Sequence, residues 1–158
     1  MEFNFHTKNN FIFKIMVIII SMISPLIMVI YDPEIPSLSS YWKTPLQPLF
    51  LISNLLTSLM FITIPKWKLS GVLLLILTCF SVEYYGTIHN IFATTFFIVN
   101  TYALYSIKKY RLMIPLYLVC LMWSPNLLWI EIHAIFILCL YHLLVLIDYN
   151  KILKKRNP

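Results

Sequence analysis

Apolar residues run through this chain in long blocks, and the polar breaks between the blocks are short. Phe11 to Tyr31 is the first block, 21 residues with one charge, Lys14. At about 1.5 Å per residue, a helix of that length crosses a hydrocarbon core of roughly 30 Å. Its Lys-bearing start resembles a signal peptide, yet the apolar run passes Pro25 without a small-residue cleavage pattern, so the segment is expected to be retained. A second span is predicted over residues 45–65, where the prolines at its ends suit the first turn of a helix and its exit. Spans over 69–85 and 88–107 follow, separated by little more than Tyr85-Gly86-Thr87, where Gly86 permits a tight reversal. The last apolar stretch, Leu112 to Ile147, has 36 residues, too many for one ordinary span. Trp123-Ser124-Pro125-Asn126 predicts a turn that divides it into a short helix over 112–125 and a full one over 127–147. Local bilayer thinning, or snorkelling by Lys109 and Arg111, would accommodate the short one.

Composition agrees with this pattern. With 60% hydrophobic and 11% charged residues, the chain lies far below the roughly 25% charge of soluble domains. Two glycines and nine prolines leave no room for a long linker, so residues 1–158 read as a single domain. Cys79, Cys120 and Cys139 fall inside apolar runs, and their odd number fits no disulfide framework. The net charge of +6 could point to nucleic acid, but its placement decides otherwise. Eleven of the twelve Lys and Arg sit near the amino terminus, at Lys66 and Lys68, at Lys108 to Arg111, and in the tail from Lys151, each group flanking an apolar run; Lys43 is the exception. This is the pattern of cytoplasmic membrane boundaries, and it excludes nucleic acid as the expected partner. Equal signs at both ends of 112–147 also require an even number of crossings there. The expectation is an all-α polytopic membrane protein of six transmembrane helices, both termini cytoplasmic, in the cell (inner) membrane. Tyr41, Trp42, Tyr84, Tyr85, Trp123 and Trp129 are expected at the outer interface, and Trp67, Tyr110 and Tyr149 at the inner one.

Polar residues inside the spans carry the candidate chemistry. On this topology Asp32, Glu34, Glu83 and Glu131 lie at the outer ends, and His89 and His133 enter from the same side. The two histidines occupy like settings, Ile-His-Asn-Ile-Phe at 88–92 and Ile-His-Ala-Ile-Phe at 132–136. Parallel repeats would explain the likeness, although the abundance of Ile and Phe favours coincidence. In the three spans that run inward, Gln47 and Asn54, His89 and Asn100, and Glu131 and His142 are seven or eleven residues apart, so each pair shares a helical face. Lipid rejects such groups, which predicts that the stripes face one another around a polar cleft that opens outward. The candidate ligand-binding residues are therefore Asn54, Glu83, His89, Asn100, Glu131, His133 and His142. Their bland alternatives are hydrogen bonds between packed helices and solvated residues at the interface. No metal site, cofactor or catalytic group is predicted. Glu131 and His133 point about 200° apart on one helix, and no metalloprotease, Ser/His/Asp or phosphate-loop pattern is present.

The stretch Tyr31 to Trp42, with Pro36, Ser37 and Ser39, and the run from His89 through Ala93 to Phe97 resemble the six-helix family of DRAM-like autophagy modulators and related bacterial membrane domains of unknown function. Leu127 to His133 is similar to that family in placing a Glu near the start of the last span. The resemblance covers residues 31–147 and implies a role with membrane lipid, without assigning chemistry to any residue.

The leading expectation is a non-enzymatic membrane protein whose cleft binds a lipid head group or small solute, with anionic lipid against its lysine-rich cytoplasmic rim. Three alternatives stand beside it. One is an intramembrane lipid-modifying enzyme with His89 or His133 as general base, and another a proton-coupled or ion-conducting oligomer. The third is an accessory subunit without a site. A homo-oligomer or a partner membrane subunit is compatible with each.

Overall fold

The computed structural model describes residues 8–105, 108–123 and 126–156. Every regular element among them is helical: α1 (Lys8–Tyr31), a 3-10 turn (Leu38–Lys43), α2 (Gln47–Ile62), a short 3-10 turn (Pro65–Trp67), α3 (Lys68–Cys79), α4 (Val82–Tyr105), a second short turn (Lys108–Tyr110), α5 (Met113–Trp123) and α6 (Leu127–Arg156). Two segments are long and apolar enough to cross a membrane on their own, Phe11–Tyr31 and Leu127–Lys151. By contrast α3 and α5 have 12 and 11 residues, which at 1.5 Å per residue is about 18 and 17 Å.

Short links force consecutive helices to lie side by side in opposite directions. Each helix packs on the next, and α6 packs back on α1, so the six form a ring in sequence order. One end gathers acids: Tyr41 donates to the Asp32 carbonyl at 2.7 Å, Lys43 pairs with Glu83 at 2.5 Å, and Glu131 reaches Leu38. The other gathers lysines: Lys14, Lys66, Trp67 and Tyr149 line one hollow, and Lys109 and Tyr110 both donate to Asp148.

Several boundaries differ from the apolar runs, for local reasons. The third helix ends at Cys79 rather than near Tyr85, because Phe80 is extended and the Ser81 hydroxyl accepts the Glu83 N–H at 3.2 Å, capping the next helix. Tyr85 breaks that helix with non-helical backbone angles, and the regular part of α4 begins at Gly86. The reversal thus uses residues 80–85, and no left-handed angle is asked of Gly86. In the second helix Pro48, not Pro45, occupies the first turn. The last helix runs nine residues past Ile147, since a helix stops at a breaker and not where its hydrophobicity stops. Ser124 and Pro125, where a turn was expected, and the side chains of Cys120 and Trp123 lie outside the described residues. Tyr41 and Trp67, expected in the aromatic belts, are buried instead, at 0% and 2% exposure.

Close approach of α2 and α3 explains one glycine. A Cβ on Gly71 would stand 2.7 Å from the Ser58 carbonyl oxygen and the Ile62 nitrogen, so the two backbones meet where Ser58, Ser70 and Gly71 are buried.

Candidate functional site

Three of the polar residues predicted to converge do so. Asn54 of α2, His89 of α4 and Glu131 of α6 line one cavity of about 100 Å³ inside the ring. The helices hold them there by their apolar neighbours: Phe50 and Phe61 flank Asn54, Phe96 and Phe97 follow His89, and Ala134, Ile135 and Leu138 follow Glu131 along the same wall. The turn Leu38–Lys43 lies across the acidic end of the ring, packed on α1, α2, α4 and α6. The expected outward mouth therefore carries a cap.

Backbone groups fix both titratable residues. Glu131 accepts the Leu38 N–H through Oε2 at 2.6 Å, which ties the capping turn to α6. His89 Nδ1 lies 2.7 Å from the Phe80 carbonyl oxygen. A carbonyl only accepts, so Nδ1 carries the proton, and in the neutral ring Nε2 is left as an acceptor. The imidazole and the carboxylate are thus each oriented by main chain rather than by one another.

The cavity also holds hydroxyls that the sequence reading missed. Ser21, Ser24, Ser39, Ser53, Thr57 and Thr78 line it. Ser21 and Thr57 hydroxyls meet at 2.6 Å between α1 and α2, while Ser24 and Thr78 donate to the carbonyls four residues back at 2.6 and 2.7 Å. Such back-bonding lets Ser and Thr sit in apolar helices at little cost, so their presence in a run is a weak signal. The signal that was available is the spacing of Ser21 and Ser24 beside Pro25, which removes the intrahelical donor for the Ser21 carbonyl on this wall.

The remaining candidates lie elsewhere. Glu83 is half exposed in its ion pair with Lys43. His133 is exposed, its Nδ1 2.7 Å from the Trp129 carbonyl oxygen, on the opposite side of α6 from Glu131. Asn100 is fully buried beside Tyr117 of α5 and does not line the cavity. His142 is buried in a second hollow at the lysine end, its ring centroid 4.4 Å from that of Trp67 and 4.9 Å from that of Phe61. Asn100 and His142 do share helical faces with His89 and Glu131, but eleven residues is about 16 Å along the axis, and the paired groups reach different layers. Phe61 lies between the layers, on the wall of the first cavity and against His142 of the second.

No group of three or more metal-ligating side chains occurs among the described residues. No family model matches the chain, and neither the curated proteins nor the solved structures contain a match.

Proposed function

We propose that this protein is an integral membrane protein whose six helices all cross the cell membrane, with both termini in the cytoplasm, and that the cavity inside the ring binds the polar end of a lipid or a small solute. One observation carries the reading: Asn54, His89 and Glu131, from three alternate helices of an otherwise apolar ring, line a single space. Buried polar side chains within membrane helices are costly and mark interior sites. The gathering of lysines at one end and acids at the other supports the orientation, with the lysine end held against anionic lipid. The two short helices suit local thinning of the bilayer. The resemblance to the DRAM-like family points the same way, toward lipid.

Two features favour binding over the alternatives. His89 and Glu131 are hydrogen-bonded to the Phe80 and Leu38 main chain, so Glu131 does not orient an imidazole base as acid-base catalysis on lipid would need. Phe61 interrupts the polar path toward His142, which a proton relay would have to pass.

The test is mass spectrometry of lipids and small molecules that travel with the purified protein. His89→Ala and Glu131→Gln should each lower the amount of bound molecule at least tenfold, whereas His133→Ala, altering an exposed ring outside the cavity, should leave it unchanged. A bound fraction that is the same in all four proteins would reject the site and leave an accessory role.

A further inference from the structure

We infer that the cavity is filled from the side, through a groove between α4 and α6, by a single-tailed amphipath whose head group donates hydrogen bonds and bears no negative charge. This deepens the proposed function and rests on it.

The argument for the route starts from a second space of about 440 Å³ on the outside of the ring. Its outer lining is exposed and largely apolar, with Ile98 of α4 and Leu118 of α5 beside the polar Asn90 and Thr94. Its floor is shared with the interior cavity: Ser39, His89, Ala93, Phe97 and Glu131 line both spaces. α4 and α6 do not pack closely on each other, and the small side chain of Ala93 stands at the threshold. The acidic end is closed by the turn that Glu131 holds, and the lysine end by Phe61. What remains is a sideways passage at the level of the acyl chains. A cavity of about 100 Å³ has room for only a few water-sized groups, so it takes the head while the groove takes the tail.

Chemistry narrows the head group. Among the described residues, those lining the cavity and the groove include one carboxylate and no Lys or Arg. Glu131 brings acceptor oxygens of which the Leu38 N–H occupies one, and with Nδ1 held at the Phe80 carbonyl the uncharged form of the His89 ring has Nε2 as a further acceptor. An anionic phosphate or carboxylate would lose its hydration here with no cation beside it, whereas a hydroxyl or amine can donate to Glu131 and to Nε2 of His89.

The experiment uses the full chain in phosphatidylcholine nanodiscs containing, in turn, monoolein, oleylamine or oleoyl lysophosphatidic acid, with the probe retained per protein read by native mass spectrometry. Monoolein or oleylamine should be retained at least tenfold more than the lysophosphatidic acid, the stronger of the two telling a hydroxyl head from an amine. Thr94→Trp, which adds bulk to the groove wall and leaves Glu131 and His89 unchanged, should cut that retention at least tenfold, and Ile98→Phe should reduce it too. Ile91→Trp, an exposed substitution outside the groove, should not. Thermal unfolding of each variant checks that the fold is intact, and either groove variant suffices. Retention lost on Glu131→Gln but untouched by both groove variants would overturn the lateral route while keeping the site. Equal or stronger retention of the lysophosphatidic acid would overturn the head-group class. Retention of no probe by the wild type would overturn the inference, while a co-purifying molecule lost on Glu131→Gln would still keep the binding site.

Discussion

At the scale of single residues, the capping turn depends on two side chains whose polar atoms meet main chain. Glu131 holds the Leu38 N–H, and Tyr41, wholly buried, donates its hydroxyl to the Asp32 carbonyl. Burial first, and the Asp32 carboxylate second, push the Tyr41 phenol up to about 12 from its ordinary 10. The folded state therefore favours the neutral phenol. That contribution is complete below the ordinary phenol pKa and is lost as pH rises toward the raised one. Melting temperature followed from pH 9 to 12 should fall more steeply for the wild type than for Tyr41→Phe. At pH 8 the variant should be less stable by about 1 kcal/mol, the net worth of one hydrogen bond. Identical pH slopes for the two proteins would show that the phenol does not titrate with unfolding.

At the scale of elements, the two glycines make opposite demands. Gly71 is where α2 and α3 touch through backbone, and a methyl group there has to push the helices apart. Gly71→Ala should destabilise by about 1–3 kcal/mol, the usual cost of overpacking. Gly86 has open space around its Cα and no left-handed angle, so Gly86→Ala should be neutral or stabilising by up to about 1 kcal/mol. Thermal or denaturant unfolding in detergent separates these, and a Gly71→Ala protein as stable as the wild type would contradict the close crossing. Sequence made the same elements only partly legible. The apolar runs gave the existence of six helices and the positions of α1 and α6, because burial needs long apolar stretches. They misplaced the end of α3, because Phe80 is as apolar as its helical neighbours and the break is made by backbone angles and a serine cap.

For the whole molecule, the ring places both helical termini at its lysine end, and the proposed orientation gives that end to the cytoplasm. Reporter fusions active only in the cytoplasm should work at the amino and carboxyl termini, whereas one inserted after Glu34 should be silent. An active insertion after Glu34 would reverse the orientation or reduce the number of crossings. The same ring explains why Asn54, His89 and Glu131 meet while Asn100 and His142 do not. Alternate helices face one lumen, but a lumen built of Phe61, Phe96 and Leu138 is interrupted along its axis.

What the sequence determined by itself was the helical class and the two longest apolar helices, since periodicity and lipid-like hydrophobicity are properties of a local stretch. Tertiary structure alone decided that the Leu38–Lys43 turn closes the acidic end, that six Ser and Thr hydroxyls join the cavity, and that His133 is turned away from it. Those outcomes depend on how far apart residues lie along neighbouring helix axes and on which backbone group sits opposite. A single helix carries no record of either.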